Sequence, residues 1–112
     1  MKLNELFELY LEDIDLTHQD TTLDSIRYVY NSGLAKKYGN KKLESIKFKE
    51  IKKYQKELLN GKHKTKDGKT YSISYINKII ALLKRLLKYA NIMSYGDFTV
   101  AQIRGLESVT SI

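Results

Sequence analysis

The sequence predicts an all-α fold, a small bundle of four main helices, and three observations support that prediction. Apolar residues recur at three- and four-residue intervals through most of the 112 residues, as in helices that bury one face. The chain has no proline and only six glycines, which favours long helices over turn-rich β structure. It has no cysteine, so disulfide scaffolds and thiolate metal sites are excluded.

The first helix is predicted over about residues 3–15. Its acidic residues, Glu8 and Glu12 among them, fall on the face opposite the apolar stripe, and Asn4 or an earlier residue is expected to cap it. The stripe consists of Leu3, Leu6, Phe7, Tyr10, Leu11 and Ile14.

The second helix is predicted over about 22–38. Thr21 and Asp24 have the spacing of a capping box at its start, and Gly39 is a natural stop at its end. The link 40–47 should tuck Leu43 and Ile46 into the core. The apolar stripe of this helix consists of Leu23, Ile26, Tyr30 and Leu34.

The third helix is predicted over about 48–60, and a basic loop follows at 61–71. The helix stripe includes either Tyr54 or Gln55, because both positions fit the spacing. The loop has no apolar periodicity, and its Asp67-Gly68 pair is a turn signal that could form the tip of a small hairpin.

The fourth helix is predicted over about 72–94, capped by Ser72 or Ser74. Apolar residues cover more than one of its stripes, so it should be the most buried element. We therefore assign 1–96 to one domain and 97–112 to a tail, either a short helix or a docked segment. The apolar residues of the tail are Phe98, Val100, Ile103 and Leu106.

The net charge of +7 is unevenly distributed along the chain. Residues 1–35 hold two basic residues and seven acids, residues 36–88 hold 17 and four, and residues 89–112 hold one and two. A local positive potential of this kind attracts polyanions, of which nucleic acid is the commonest inside cells. A solvated lysine-rich surface is an equally good interpretation, because lysines outnumber arginines 17 to 3.

Catalysis by this chain alone is not expected. There is no glycine-rich phosphate loop, no zinc-binding helix motif and no nucleophile elbow. Of the two histidines, His18 lies in a polar linker and His63 among the lysines of the basic loop, and a lone loop histidine is more often a surface residue than a catalyst. We therefore expect no cofactor and no metal, and no apolar run approaches the roughly 20 residues that a membrane span needs.

The start of the fourth helix is better suited to binding. A helix N-terminus carries partial positive charge and free N–H groups, which suits phosphate contact. Asn77 could read an adenine edge from the major groove. An ordinary N-cap followed by solvated polar residues explains the same pattern. The polar residues in question are Ser72, Ser74, Tyr75, Asn77 and Lys78.

The order of these elements resembles the N-terminal SAM-like, core-binding domain of phage-type integrases, the tyrosine recombinases. The resemblance extends over roughly residues 3–95. It depends on Ser or Thr residues at the starts of the second and fourth helices, on a Tyr-Gly at the end of the second helix and on a Tyr-Ala at the end of the fourth. The matching pieces are Leu6-Phe7, Tyr10-Leu11, Thr22, Tyr30, Tyr38-Gly39, Leu43, Ile46, Ile51, Tyr54, Leu58, Ser72, Ser74, Ile76-Asn77-Lys78, Leu82-Leu83 and Tyr89-Ala90.

The resemblance implies that the second and fourth helices approach the major groove of a recombination core site in double-stranded DNA. It assigns contacts to Thr22 and Ser25 on the second helix and to the start of the fourth helix. The charge pattern adds phosphate contacts from the loop and the fourth helix. The candidate DNA-binding residues are Thr22, Ser25, Lys62, Lys64, Lys66, Lys69, Ser74, Tyr75, Asn77, Lys78, Lys84, Arg85 and Lys88.

The family's catalytic domain carries a His-x-x-Arg and a nucleophilic tyrosine, and this chain has no His-x-x-Arg. We therefore expect an excised domain or a truncated relative of a recombinase, monomeric by itself. Its expected location is the cytoplasm of a bacterial cell, at the nucleoid. Other recombinase subunits are further possible partners, and an alternative function is a protein–protein module that acts through the acidic first helix.

Overall fold

A computed structural model describes residues 1–14, 20–99, 102, 103, 105 and 106, with Asp20 and Thr21 described as backbone only. Over these residues the secondary structure is helical apart from two isolated bridges, so the all-α prediction is confirmed. Three helices pack against the fourth and longest, which forms the centre of the core. No helix among the described residues is long and apolar enough to cross a membrane.

Helix α1 comprises Leu3–Ile14 and buries its predicted stripe. Asn4 is not its cap, because the helix begins one residue earlier and its first N–H groups are satisfied from elsewhere in the chain. The amides of Leu3 and Asn4 donate to the carbonyls of Lys41 (3.1 Å) and Gly39 (3.0 Å). The Asn4 side chain instead accepts a 2.5 Å hydrogen bond from the buried Tyr30 hydroxyl.

Helix α2 is continuous over residues 20–38 and consists of an α-helical part, Asp20–Val29, a π-helical turn, Tyr30–Leu34, and a last α-helical turn, Ala35–Tyr38. It begins two residues before the predicted start, so a capping box at Thr21 does not begin the helix. The side chain of Thr21 lies outside the described residues. The helix ends before Gly39 as predicted, although Gly39 has an ordinary helical φ of −55°.

The π-helical turn of α2 was not predicted. The Ala35 amide reaches back five residues to the Tyr30 carbonyl, the hydrogen bond that defines this wider turn. Gly33 lies inside the turn against Tyr54, and a Cβ atom there would lie 2.5 Å from the Tyr54 hydroxyl oxygen. The turn therefore brings the backbone of α2 within direct reach of a buried tyrosine.

Helix α3 comprises Phe48–Leu59, as predicted to within a residue. Tyr54 rather than Gln55 occupies the buried stripe. The preceding link contains a short 3-10 turn, Leu43–Ser45, and buries Leu43 and Ile46 as predicted.

Helix α4 comprises Ile73–Ile92, two residues shorter than predicted at its C-terminus. Ser72 is its N-cap and accepts a 3.2 Å hydrogen bond from the Tyr75 amide, so Ser74 lies within the first turn. The helix ends in a Schellman motif, in which the Tyr95 amide donates to the Ala90 carbonyl at 2.7 Å. Ser94 takes the left-handed φ of 61° that this motif requires.

The described part of the tail packs on the core. Asn91 holds the backbone of Phe98 with two hydrogen bonds, one to its carbonyl (2.7 Å) and one from its amide (2.9 Å). Thr99 and Gln102 form a reciprocal capping box, and Ile103 and Leu106 are buried. Val100 lies outside the described residues, and the division at residue 96 stays a prediction.

Candidate nucleic-acid interface

One exposed stripe of α4 concentrates positive charge, and we call it the outer face of α4. Its members follow one another at intervals of four and three residues, which places them along one side of a helix. Three are cations and none is an acid. Between Lys78 and Lys88 the stripe runs roughly 15 Å along the helix at 1.5 Å per residue. The members are Ser74, Lys78, Ala81, Arg85 and Lys88.

The opposite side of α4 fixes this face in position. It is lined by aliphatic side chains with at most 4 % of their surface exposed, so the helix has little freedom to rotate or slide. Asn77 and Lys84 lie at the margin between the two sides and are half-buried. The buried residues are Ile76, Ile79, Ile80, Leu82, Leu83, Leu86, Leu87 and Ala90.

The predicted hairpin is present before α4, and we use the name hairpin for residues 64–70. An isolated antiparallel bridge joins Lys64 and Thr70, and the Thr65 amide donates to the Lys69 carbonyl at 2.8 Å. Gly68 occupies the turn with a φ of 77°, which a glycine adopts without strain. Lys64, Lys66 and Lys69 are exposed on this short element.

Lys62 is anchored at the base of the hairpin. Glu57 accepts hydrogen bonds from Lys62 (3.1 Å) and His63 (3.0 Å). The hydrogen bond with His63, and then that with Lys62, lowers the pKa of Glu57 from 4.5 to about 2. Lys62 is therefore partly neutralised, whereas Lys66 and Lys69 form no ion pair with any described residue.

The candidate residues of α2 lie in its first two turns. Thr22 and Ser25 are both exposed, inside the helix rather than at a cap because α2 begins at Asp20. Ser25 makes contacts of its own within the protein.

A groove separates α2 from the hairpin and the start of α4, and we call it the tyrosine groove. It has a volume of about 670 Å³. Tyr71 and Tyr75 stack with ring centroids 5.5 Å apart, and Tyr28 meets Tyr75 edge-on at 6.4 Å. The groove is lined by Tyr28, Asn31, Ser32, Lys36, Tyr71, Ser72, Tyr75 and the hairpin.

Ser32 joins the walls of the tyrosine groove. Its hydroxyl donates to the Tyr28 carbonyl at 2.7 Å, so it is left to accept from the Tyr75 hydroxyl. The Tyr71 hydroxyl donates to the Ser32 carbonyl at 3.3 Å. Burial raises the pKa of Tyr75, which keeps its hydroxyl protonated and able to donate.

The structure thus brings the predicted residues together in two places. The tyrosine groove gathers Tyr75 and three hairpin lysines, and the outer face of α4 gathers Ser74 and three more cations. Thr22, Ser25, Lys62, Asn77 and Lys84 belong to neither set.

The candidate list from the sequence missed most of the residues that line the groove. Tyr28, Ser32, Lys36 and Tyr71 line it although none was a candidate. One feature of the sequence could have indicated the groove: Tyr28 is a tyrosine outside the apolar stripe of its helix, where an exposed aromatic side chain is expected. Within the described residues no group of three or more His, Cys, Asp or Glu side chains could hold a metal ion.

A family model of the phage integrase N-terminal SAM-like domain matches residues 2–59. The match covers α1, α2 and α3, whereas the hairpin and α4 follow it in the chain. No curated protein and no solved structure matches the chain.

Proposed function

The chain belongs to the family of phage integrase N-terminal SAM-like domains, and on that premise we propose that it binds double-stranded DNA at the core site of a recombination target. Membership of this family indicates a role in site-specific recombination. The matched region is the family's non-catalytic N-terminal domain, so the proposed role is binding, with strand cleavage left to a catalytic domain. Such a protein acts at the nucleoid of a bacterial cell.

The main support for this proposal is the concentration of positive charge on the outer face of α4. Lys78, Arg85 and Lys88 project from one rigid helix with no acid between them. An α-helix fits the major groove of B-DNA, which is about 12 Å wide, and cations along it neutralise the flanking phosphates. The exposed hydroxyls of Thr22, Ser25 and Ser74 can add contacts to phosphate oxygens or base edges.

A salt titration tests this proposal. Each phosphate contact adds about −0.9 to the slope of log K against log salt concentration. We expect the Lys78→Ala, Arg85→Ala double variant to bind duplex DNA more weakly and to lower the magnitude of that slope by about 1.8, which is two contacts at about 0.9 each. Fluorescence anisotropy with a labelled duplex at several salt concentrations measures both quantities.

The matched control is the Lys42→Ala, Lys47→Ala double variant, which removes two exposed lysines from the link before α3. It loses the same net charge from a segment outside the outer face of α4. Equal losses in the two double variants would show that binding follows total charge and would refute the assignment to α4. Absence of salt-dependent binding to any duplex at low salt would refute the proposed function itself.

The acidic face of α1 is the second candidate surface, suited to a neighbouring recombinase subunit. Glu8 and Glu12 are exposed and pair with no cation among the described residues. Charge reversal at both positions should abolish self-association in analytical ultracentrifugation if this face is an interface. Unchanged association, or a monomer before and after reversal, would remove the candidate.

A further inference from the structure

The tyrosine groove contains more aromatic surface than contacts with duplex phosphates would use. Its volume of about 670 Å³ lies within the 300–1,000 Å³ usual for small-ligand sites. Lysines on their own suffice to hold a phosphate backbone, so three converging tyrosines point to a ligand with a flat, apolar face.

The rings of two of these tyrosines are fixed by hydrogen bonds from their hydroxyls to Ser32 in the groove wall. Tyr71 and Tyr75 both donate to Ser32, one to its carbonyl and the other to its hydroxyl. These hydroxyls are therefore occupied, and the rings rather than the polar ends remain as the surface facing the groove. Stacking of Tyr71 on Tyr75, with ring planes 10° apart, makes the pair a stiff wall.

Tyr28 has aromatic surface available for a ligand. Its side chain is 64 % exposed, and its ring plane meets that of Tyr75 at 80°, so the two rings are not stacked and most of Tyr28 stays uncovered. Exposing this much of an aromatic side chain to water is unfavourable, and covering it with another flat ring is favourable. Tyr28 therefore supplies the stacking surface of the groove.

The charges around the rings suit a nucleotide. Lys36, Lys66 and Lys69 line the groove without an ion pair to any described residue, and Lys64 donates to Thr70 at 3.1 Å. Asp67 is the one acid among the lining residues. Four cations beside a stacking surface combine the two features that bind unstacked nucleotides, a positive path for the backbone and a ring for the base.

We propose that the tyrosine groove binds a DNA base that has left the duplex stack, with the base on Tyr28 and its flanking phosphates on the lysines of the hairpin and α2. This inference rests on the proposed function, because the outer face of α4 holds the adjoining duplex. The preferred substrate is then duplex DNA with an unpaired nucleotide, and fully paired DNA binds without using the Tyr28 ring.

Binding of three matched DNAs tests the inference: a perfect duplex, the same duplex with one extrahelical thymidine, and the single strand. We expect the duplex with the extra base to bind about tenfold more tightly than the perfect duplex, the size of effect that one stacked base produces. Tyr28→Ala should abolish that preference and leave perfect-duplex affinity unchanged. Tyr28→Phe should retain the preference, because stacking needs the ring and not the hydroxyl.

Tyr95→Ala is the matched control, since Tyr95 is another exposed tyrosine and lies outside the groove. It should leave both affinities unchanged. An extrahelical 5-iodouracil should crosslink to Tyr28 on irradiation, and mass spectrometry of the digest identifies the residue. Tight binding of the single strand that is weakened by Tyr28→Ala would also support the groove as a base-binding site.

Four results would overturn the inference. They are equal binding of the paired and extrahelical duplexes, a preference that survives Tyr28→Ala, a crosslink outside the groove, and tighter binding of the corresponding RNA duplex. In the first three cases duplex binding through α4 can remain intact, which separates this failure from failure of the proposed function. If no DNA binds at all, both are refuted.

Discussion

Replacement of Gly33 by alanine should destabilise the protein, and replacement of Tyr54 by phenylalanine should rescue the variant. A Cβ atom at Gly33 would lie 2.5 Å from the Tyr54 hydroxyl oxygen, well inside van der Waals contact. Tyr54 is 2 % exposed and packs edge-on against Tyr38 and His63, so it has little room to move. Overpacking of this kind costs about 1–3 kcal/mol of the free energy of unfolding.

Removal of the hydroxyl changes the outcome of the same substitution. In Tyr54→Phe the nearest remaining neighbours of the new Cβ would be Ile79 Cδ1 at 3.6 Å and the Tyr54 Cζ position at 3.8 Å, both ordinary contacts. Alanine is also favoured over glycine within a helix by roughly 0.5–1 kcal/mol. We therefore expect the double variant to be more stable than Gly33→Ala by at least about 1 kcal/mol.

The wild type, the two single variants and the double variant form a double-mutant cycle. Urea unfolding, monitored by far-UV circular dichroism, measures the free energy of unfolding of each of the four proteins. Tyr54→Phe by itself should change the free energy of unfolding by no more than about 1 kcal/mol. Additive effects, with a coupling below about 0.5 kcal/mol, would refute the steric explanation. Destabilisation of the double variant to the level of Gly33→Ala would show that the π-helical turn itself, and not the hydroxyl, requires glycine.

Two further predictions concern the hairpin base and the end of α4. Because the pKa of Glu57 is lowered from 4.5 to about 2, its carboxylate stabilises the fold above pH 4.5 and that contribution disappears as the pH falls towards 2. Glu57→Gln should therefore unfold at lower temperature than the wild type at pH 7 and at the same temperature near pH 2, and a pH-independent difference would contradict the linkage. Ser94→Gly should raise the free energy of unfolding by about 1 kcal/mol, because glycine adopts the φ of 61° without the steric cost that serine bears; a urea midpoint that falls would contradict this account.

Sequence periodicity predicted the helices well because each buries a regular stripe. The limits of α1, α3 and α4 agree with the predicted ones to within two residues, and Leu43 and Ile46 are buried as expected. The π-helical turn escaped prediction because Tyr30, Leu34 and Tyr38 fit a helical pattern at first sight. Their repeated four-residue interval is the overlooked signal. In an α-helix of 3.6 residues per turn, residues four apart move gradually off one face, whereas a wider turn keeps them on it.

The candidate site was predictable only in part, for a different reason. Lys78, Arg85 and Lys88 share a face because of local helical geometry, which the sequence encodes directly. The tyrosine groove depends on how α2 packs beside α4, which places Tyr28 against Tyr75 across 47 positions of sequence. No local pattern encodes that pairing, so Ser32 and Tyr71 were not recognised as parts of a site.

The way α1 is held has a consequence for biosynthesis. Its first amides donate to the carbonyls of Gly39 and Lys41, and the Leu9 carbonyl in its middle accepts a 3.3 Å hydrogen bond from the Tyr89 hydroxyl. A chain made at about 5–20 residues per second needs roughly 4–16 s to extend from Leu9 to Tyr89. Throughout that interval the apolar stripe of α1 has no completed binding surface, so the nascent segment is a candidate client for ribosome-associated chaperones.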